Sequence, residues 1–374
     1  MKRLAGRHRD RGDADWYGLQ RDAAPIRHAV TLAGPWCDFW STVTSPRRRY
    51  ADAVTDGLLA RFQPPDDPAL DEVADSLLDL DPDGSGWAAV IRHTYDMIYN
   101  GQETGRYRWD QLMKTEKTHF GTLFEINAQR KFRFDGFDAD PTDYRIQGHM
   151  VDAKWSQRAG GWMLPPEVVD HIALVATGDD SKSVWSLGLI RVRPEYRSEG
   201  SNRDKKSTLN KLGRDAVRWL WRDAPLRPNV LLQLDRSAVE EILALRAGTK
   251  RTDELFRVAE GRIVHRGAVL TVARQLDAMR RLRGGSGGSR RALAPEGLLI
   301  LSGVYHSRIA RDLGAPIPKR DEFVAVRVVP SGAEPGVLID GERWRLARPG
   351  ELISRAAPSL PNLETASASG DDAE

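Results

Sequence analysis

The sequence predicts an α/β chain. Its first half is a mixed-sheet core with helices, and its second half is a helix-turn-helix unit with a winged, sheet-bearing edge. Three observations predict this. From Pro68 to Pro194, helical periodicity gives way to alternating and continuous apolar runs, the pattern of strands covered by helices. From Lys211 to Pro330, three consecutive helical stretches precede a glycine-rich turn and further strands. Within the first half, the run TDYRIQGHMVDAKW sets acids and a lysine on alternate positions, the arrangement of a strand with one polar face.

The elements follow in order. Residues 1–62 mix Arg, Asp, Trp and Pro without sustained periodicity and read as an unassigned extension of short helices or disorder. Leu70, Val73, Leu77 and Leu78 mark a first amphipathic helix, and Val90, Ile91, Tyr95 and Ile98 a second over Trp87–Tyr99. GQETG reads as a turn, and a helix is expected around Thr115–Arg130. YRIQG and HMVDAKWS read as strands. After RAGGWMLPPE and a short helix, HIALVATGD is a continuous apolar run typical of a buried strand, and VWSLGLIRVRP is another strand. Residues 63–200 are thus expected to form the first domain and 201–210 a polar linker.

In the second unit, 211–357, NVLLQL is expected as a strand. SAVEEILALRAG is expected as a helix stopped by Gly248, TDELFRVAEG as a helix capped by Thr252, and GAVLTVARQLDAMRRLRG as one helix. EGLLILSG and EFVAVRVVP read as strands, with HSRIARDLG a helix between them. The tail, 358–374, reads as disordered.

Composition narrows the class. At 40% hydrophobic and 29% charged residues the chain has a globular profile, and no apolar run reaches membrane-spanning length. The basic N-terminus lacks the apolar segment of a secretory signal. Cys37 is the only cysteine, so an internal disulfide and a multi-cysteine zinc site are excluded and a reducing, cytoplasmic compartment is expected. A net charge of +3 leans only mildly towards polyanions. The distribution says more: between Arg274 and Arg291 stand six arginines and a single acid, Asp277.

Asp143, Asp152 and Lys154, with Glu125 upstream in GTLFEINA, are the candidate site. Asp-x-Lys alone is a common surface pattern. Here Val151, Ala153 and Trp155 alternate with Asp152, Lys154 and Ser156, so the acid and the amine share a strand face. Asp143 follows the turn DADPTD and can face them from a hairpin end. Three carboxylates supply hard oxygen ligands for Mg²⁺, which polarises a phosphate and lowers the pKa of a bound water. The lysine can hold that water or neutralise developing charge. That set is what metal-dependent phosphodiester cleavage needs.

A second candidate is the basic stretch. Val269, Leu270, Val272, Ala273, Leu276, Met279 and Leu282 can form a core stripe, leaving Arg274, Gln275, Arg280, Arg281 and Arg283 outward, side chains suited to guanine and adenine edges. The GGSGG loop permits close approach to a phosphate, with Arg290 and Arg291 as its clamp. Lys114 and Lys117, a few turns before Glu125, are candidate phosphate contacts. His119 has no second histidine at a useful spacing for a metal.

GRYRWDQLMKTEKTHFGTLFEIN, TDYRIQGHMVDAKWS, WMLPPE, NRDKK and RLRGGSGGSRR with APEGLLIL resemble the NaeI restriction endonucleases, over about Asp66 to Pro349. The resemblance implies a restriction-endonuclease-like core joined to a helix-turn-helix DNA-binding domain. It further implies a Mg²⁺-dependent homodimer that cuts both strands of a palindromic, G·C-rich site and binds a second DNA copy as effector. A cognate methyltransferase would act on the same site. Glu125, Asp143, Asp152 and Lys154 match the family's active-site positions, with Ala153 where the namesake carries cysteine. TYDMIYNG, before GRYRW, matches a ligase-like motif of the family, but Ile98 stands at the nucleophilic lysine's position, so no adenylation is expected there. Two other classes share parts of this pattern: a very-short-patch mismatch-repair endonuclease, and a non-catalytic DNA-binding regulator.

Overall fold

The computed structural model describes residues 66–136, 140–200, 204–282 and 287–360. The N-terminal extension, Arg283 and the tail beyond residue 360 lie outside them.

Helix α1, Pro68–Leu80, starts where the sequence provides a proline and a cap: Asp67 accepts the Leu70 N–H at 3.0 Å. The same Asp67 receives Arg191 from the sheet at 2.8 Å, tying the helix start to the strand beneath it. Helix α2, Ser85–Tyr99, is entered through Asp81, whose carboxylate takes the Gly86 and Trp87 N–H groups at 3.0 and 2.9 Å. It buries Trp87, Ile91 and Tyr95. GQETG is not an open turn: Gly101–Thr104 closes one helical turn, α3, between left-handed Asn100 and Gly105. Helix α4, Lys114–Phe132, lays Phe120, Phe124 and Ala128 on the sheet, with the Phe120 and Trp155 rings 4.5 Å apart.

The first sheet has the order β1 (Tyr144–Ile146), β2 (His149–Trp155), β3 (Ile172–Asp179), β4 (Val184–Arg191), then a fifth strand. The β2–β3 pair is parallel and the others are antiparallel. Both faces are covered. Leu174 and Ala176 face the helices, while Ala173 and Val175 pack with Trp162, Leu164 and Val168. That is why β3 is apolar throughout rather than alternating.

The fifth strand departs from the expected layout. After the short helix α5, Lys211–Asp215, the run RWLWRDAP forms β5, Arg218–Pro225, and pairs with β4. The sheet therefore reaches past the expected linker, and residues 204–210 are not a free tether: Ser207 bridges Leu164 and Leu209 bridges Arg197. Arg218, Arg222 and Asp223 beside Trp219 and Trp221 hide the strand, because two of its apolar positions are amphipathic aromatics set among charged residues.

In the second half NVLLQL is not a strand. Asn229 caps the N–H of Leu231 at 3.2 Å and Val230–Gln233 coils into α6. Helices α7 (Arg236–Ala244) and α8 (Gly248–Val258) follow. Gly248 begins α8 rather than stopping α7, and a side chain there would strike the Ala273 carbonyl. Thr252, expected as a cap, lies inside α8 and bonds back to the Gly248 carbonyl at 2.8 Å. After β6, Ile263–His265, the expected long basic helix is broken. Helix α9 covers only Arg266–Ala273 and ends on left-handed Arg274, φ 50°. The Arg251 guanidinium takes the Val272 and Ala273 carbonyls at 2.6 and 2.7 Å, so the helix end is satisfied from outside. A 3₁₀ turn, Ala278–Leu282, follows.

Helix α10 (Ser289–Leu293), β7 (Leu298–Ser302), α11 (Ser307–Leu313), β8 (Glu322–Pro330), β9 (Val337–Ile339) and β10 (Glu342–Leu346) complete the fold. Long β8 pairs with β6, β7 and β10, and β9 extends the sheet from β10. Helices α7, α8 and α9 share one core with β7, built on Ile242, Leu255, Phe256, Val269 and Ile300.

Candidate active site

The β1–β2 hairpin turns on Gln147 and Gly148, both left-handed at φ 50° and 78°, the pairing that suits a two-residue turn. Its register sets Tyr144 opposite Val151, so Asp143 falls opposite Asp152. Tyr144, Ile146, Val151 and Ala153 go to the core, and Asp143, Asp152 and Lys154 alternate with them on the other face. Helix α4 is pinned to this hairpin by the Tyr144 hydroxyl, which donates to the Glu125 carbonyl at 2.7 Å. The sequence reading did not single out Tyr144 for this. Its one signal there is a buried-type phenol beside an acid.

Four side chains meet. Lys154 Nζ lies 2.5 Å from Asp152 Oδ2 and 3.8 Å from Asp143 Oδ2. Asp143 also accepts the Ala153 N–H at 2.7 Å, which fixes its carboxylate across the hairpin. Glu125 comes from α4, and its carboxyl is close enough to feel the charge of Asp143. Asp152 is 4% exposed. Burial, and then the Asp143 charge, push its carboxyl up to about 6 against the pull of Lys154. Burial and Asp143 likewise raise Glu125 to about 7. Burial, then the charges of Asp143, Glu125 and Asp152, raise the Tyr144 phenol well above its usual value. One ammonium does not balance three carboxylates.

The donor chemistry fits a hard divalent cation. Asp152 Oδ2 is shielded from solvent and lies against the Lys154 ammonium. Among the described residues no three acids or histidines form a ready-made metal cage. Mg²⁺ does not require one, since it is held by one or two carboxylates and completes its shell with water and phosphate oxygens. Asp143 and Asp152 could hold it, with Glu125 nearby.

The basic candidates are dispersed. Lys114 opens α4 and is exposed, with Lys117 one turn on. Arg274 is exposed and donates to the Glu103 carbonyl at 3.3 Å. Gln275 accepts from Arg281 at 2.9 Å, and Arg281 also reaches Asp277. Arg280 and Arg291 are exposed. Arg290 turns inward instead, donating to the Ile300 carbonyl at 3.0 Å.

The family model described as restriction endonuclease NaeI matches residues 71–355, which include the whole cluster. The type II restriction enzyme NaeI of Lentzea aerocolonigenes is 44% identical over 315 residues, covering 80% of this chain and 96% of that enzyme. On these matches, the chain belongs to the NaeI restriction endonuclease family.

Proposed function

We propose that the chain is a type II, site-specific deoxyribonuclease that hydrolyses phosphodiester bonds in both strands of duplex DNA with Mg²⁺ as cofactor. The observation that carries the reading is the convergence of Asp143, Asp152 and Lys154, with Glu125 facing Asp143. A divalent cation held there supplies Lewis-acid polarisation of the scissile phosphate. Asp143 and Asp152 would hold it, with Glu125 as a further ligand or orienter. The hydrogen bond from Ala153 keeps Asp143 aimed across the hairpin. Lys154, within reach of both acids, orients the attacking water and offsets charge that develops on the phosphate.

Helices α7–α9 with the sheet around β8 are proposed as the helix-turn-helix and its wing. Arg274, Gln275, Arg280, Arg281, Arg283 and Arg291, and Lys114 and Lys117 on α4, are the proposed DNA contacts. Arg290, bonded inward, would act by shaping the loop. Family membership supports a homodimer on a palindromic, G·C-rich site, a second DNA copy as effector, a cognate methyltransferase and a cytoplasmic location. The catalytic domain is proposed to run to about residue 225, so as to include β5. No helix among the described residues is long and apolar enough to cross a membrane.

Lys154→Ala tests the site. Plasmid cleavage in Mg²⁺ should be abolished while gel-shift binding of the same DNA stays near the parent level. Lost binding with retained cutting would overturn the assignment.

A further inference from the structure

A cavity of about 200 Å³ opens between the helical layer of the first sheet and the start of α9. Arg92 and Asp96 of α2, Arg106 after α3, Arg227 after β5, and His265 with Gly267 at the α9 start line it. Its walls thus carry three guanidiniums and one carboxylate.

The guanidiniums are unequally paired. Arg92 is committed to Asp180 and Asp96. Arg106 pairs with Glu116 through Nη1 at 2.8 Å, but its Nε is shielded from solvent without a partner. Arg227 is the least compensated. Its Nε is also shielded and unpartnered, and its contact to Asp96 is 3.9 Å. Asp96 is already held by Arg92 at 3.1 Å. A shielded guanidinium N–H with no acceptor is costly. The local potential is positive as well: burial, and then Arg227, Arg92 and Arg266, drive His265 down to about 3. With Nδ1 accepting the Gly267 N–H at 3.1 Å, the neutral ring keeps Nε2–H as a donor. The positive end of α9 adds to the same field.

We propose that this cavity binds a phosphate group, with Arg227 and Arg106 as its charged donors. Guanidinium forks match phosphate oxygens in geometry and charge. At roughly 30 Å³ per water, the volume holds several waters, enough for a phosphate. It is too confined for a duplex, so the ligand is inorganic phosphate or a free phosphomonoester. Its walls come from both sheet-bearing halves. They are packed closely there, since a side chain at Gly101 would collide with Thr271 of α9. An occupant would therefore tie α2 and the β5 exit to α9.

The test uses the full chain with inorganic phosphate as probe. Thermal unfolding in phosphate should rise above that in chloride at matched ionic strength, and the rise should saturate. Arg227→Gln should lose phosphate affinity by about tenfold to a hundredfold, the loss expected for a charge-assisted hydrogen bond. In phosphate-free buffer the same variant should be at least as stable as the parent, because a poorly paired, partly exposed charge with a shielded, unpartnered Nε has gone. A merely structural arginine would not give that reversal. If Arg227→Gln does not fold, ³¹P line broadening with Arg106→Gln supplies the same comparison. Displacement of phosphate by a nucleoside 5′-monophosphate would support the free ligand. Displacement by duplex DNA alone would overturn it, as would a phosphate response no greater than chloride's, or one undiminished in both variants.

Discussion

Replacing Asp152 by asparagine should strengthen the fold in the absence of metal while destroying cleavage. Asp152 is 4% exposed, and its carboxyl titrates near 6 in the fold against 3.8 in a free chain. The folded state thus binds this proton more tightly than the unfolded state. The stability contribution is fully present below the unfolded value and is lost as pH rises through the folded one. A difference of about two units corresponds to ~3 kcal/mol of destabilisation above pH ~7. The asparagine side chain cannot ionise, and Lys154 keeps Asp143 at 3.8 Å. Some of the gain is offset by the lost contact with Lys154, so a net rise of about 1–3 kcal/mol is expected. Urea denaturation in chelator measures it: Asp152→Asn should unfold at higher denaturant than the parent above pH ~7, and the gap should shrink towards pH ~5 as Asp152 protonates in the parent. Added Mg²⁺ should stabilise the parent and not the variant. A variant less stable than the parent in chelator above pH ~7, or a gain independent of pH, would refute the account of an acid cluster short of positive charge.

Arg92→Met should cost about 3–5 kcal/mol in chemical denaturation, because Asp180 and the Tyr99 hydroxyl bound to it would keep a buried charge without its cation. Asp180→Asn added to that variant should recover part of the loss. Gly303→Ala should destabilise by about 1–3 kcal/mol, since the new Cβ would collide with the Lys319 carbonyl, which is backbone and cannot swing away. His306 is held at about 4 by burial and then by Arg290, with Nδ1 accepting from the Ser302 N–H at 3.0 Å. Its folded value is depressed, so the stability it contributes is lost as pH falls from about 6.5 towards 4. His306→Asn should flatten the parent's stability-versus-pH curve in that window.

The sequence by itself was enough for the local features. The apolar spacing of α1 and α2, the unbroken apolar β3 and the polar face of β2 are set by neighbours within a few residues, and each reads directly from the chain. The Asp-x-Lys arrangement is local too, since two residues of one strand must share a face. Tertiary structure decided what depends on distant partners. Arg251 takes carbonyls twenty-one and twenty-two residues away and helps end α9, which no periodicity in GAVLTVARQLDAMRR announces. Arg290 reaches the Ile300 carbonyl and turns from solvent. RWLWRDAP becomes a strand because β4 offers it an open edge. Glu125 is brought towards Asp143 by α4, which packs on the sheet and is fastened to the hairpin through Tyr144. Local propensity fixes a segment's shape where its own hydrogen bonds suffice. Where backbone groups or charges must find partners across the fold, the packed chain sets the outcome.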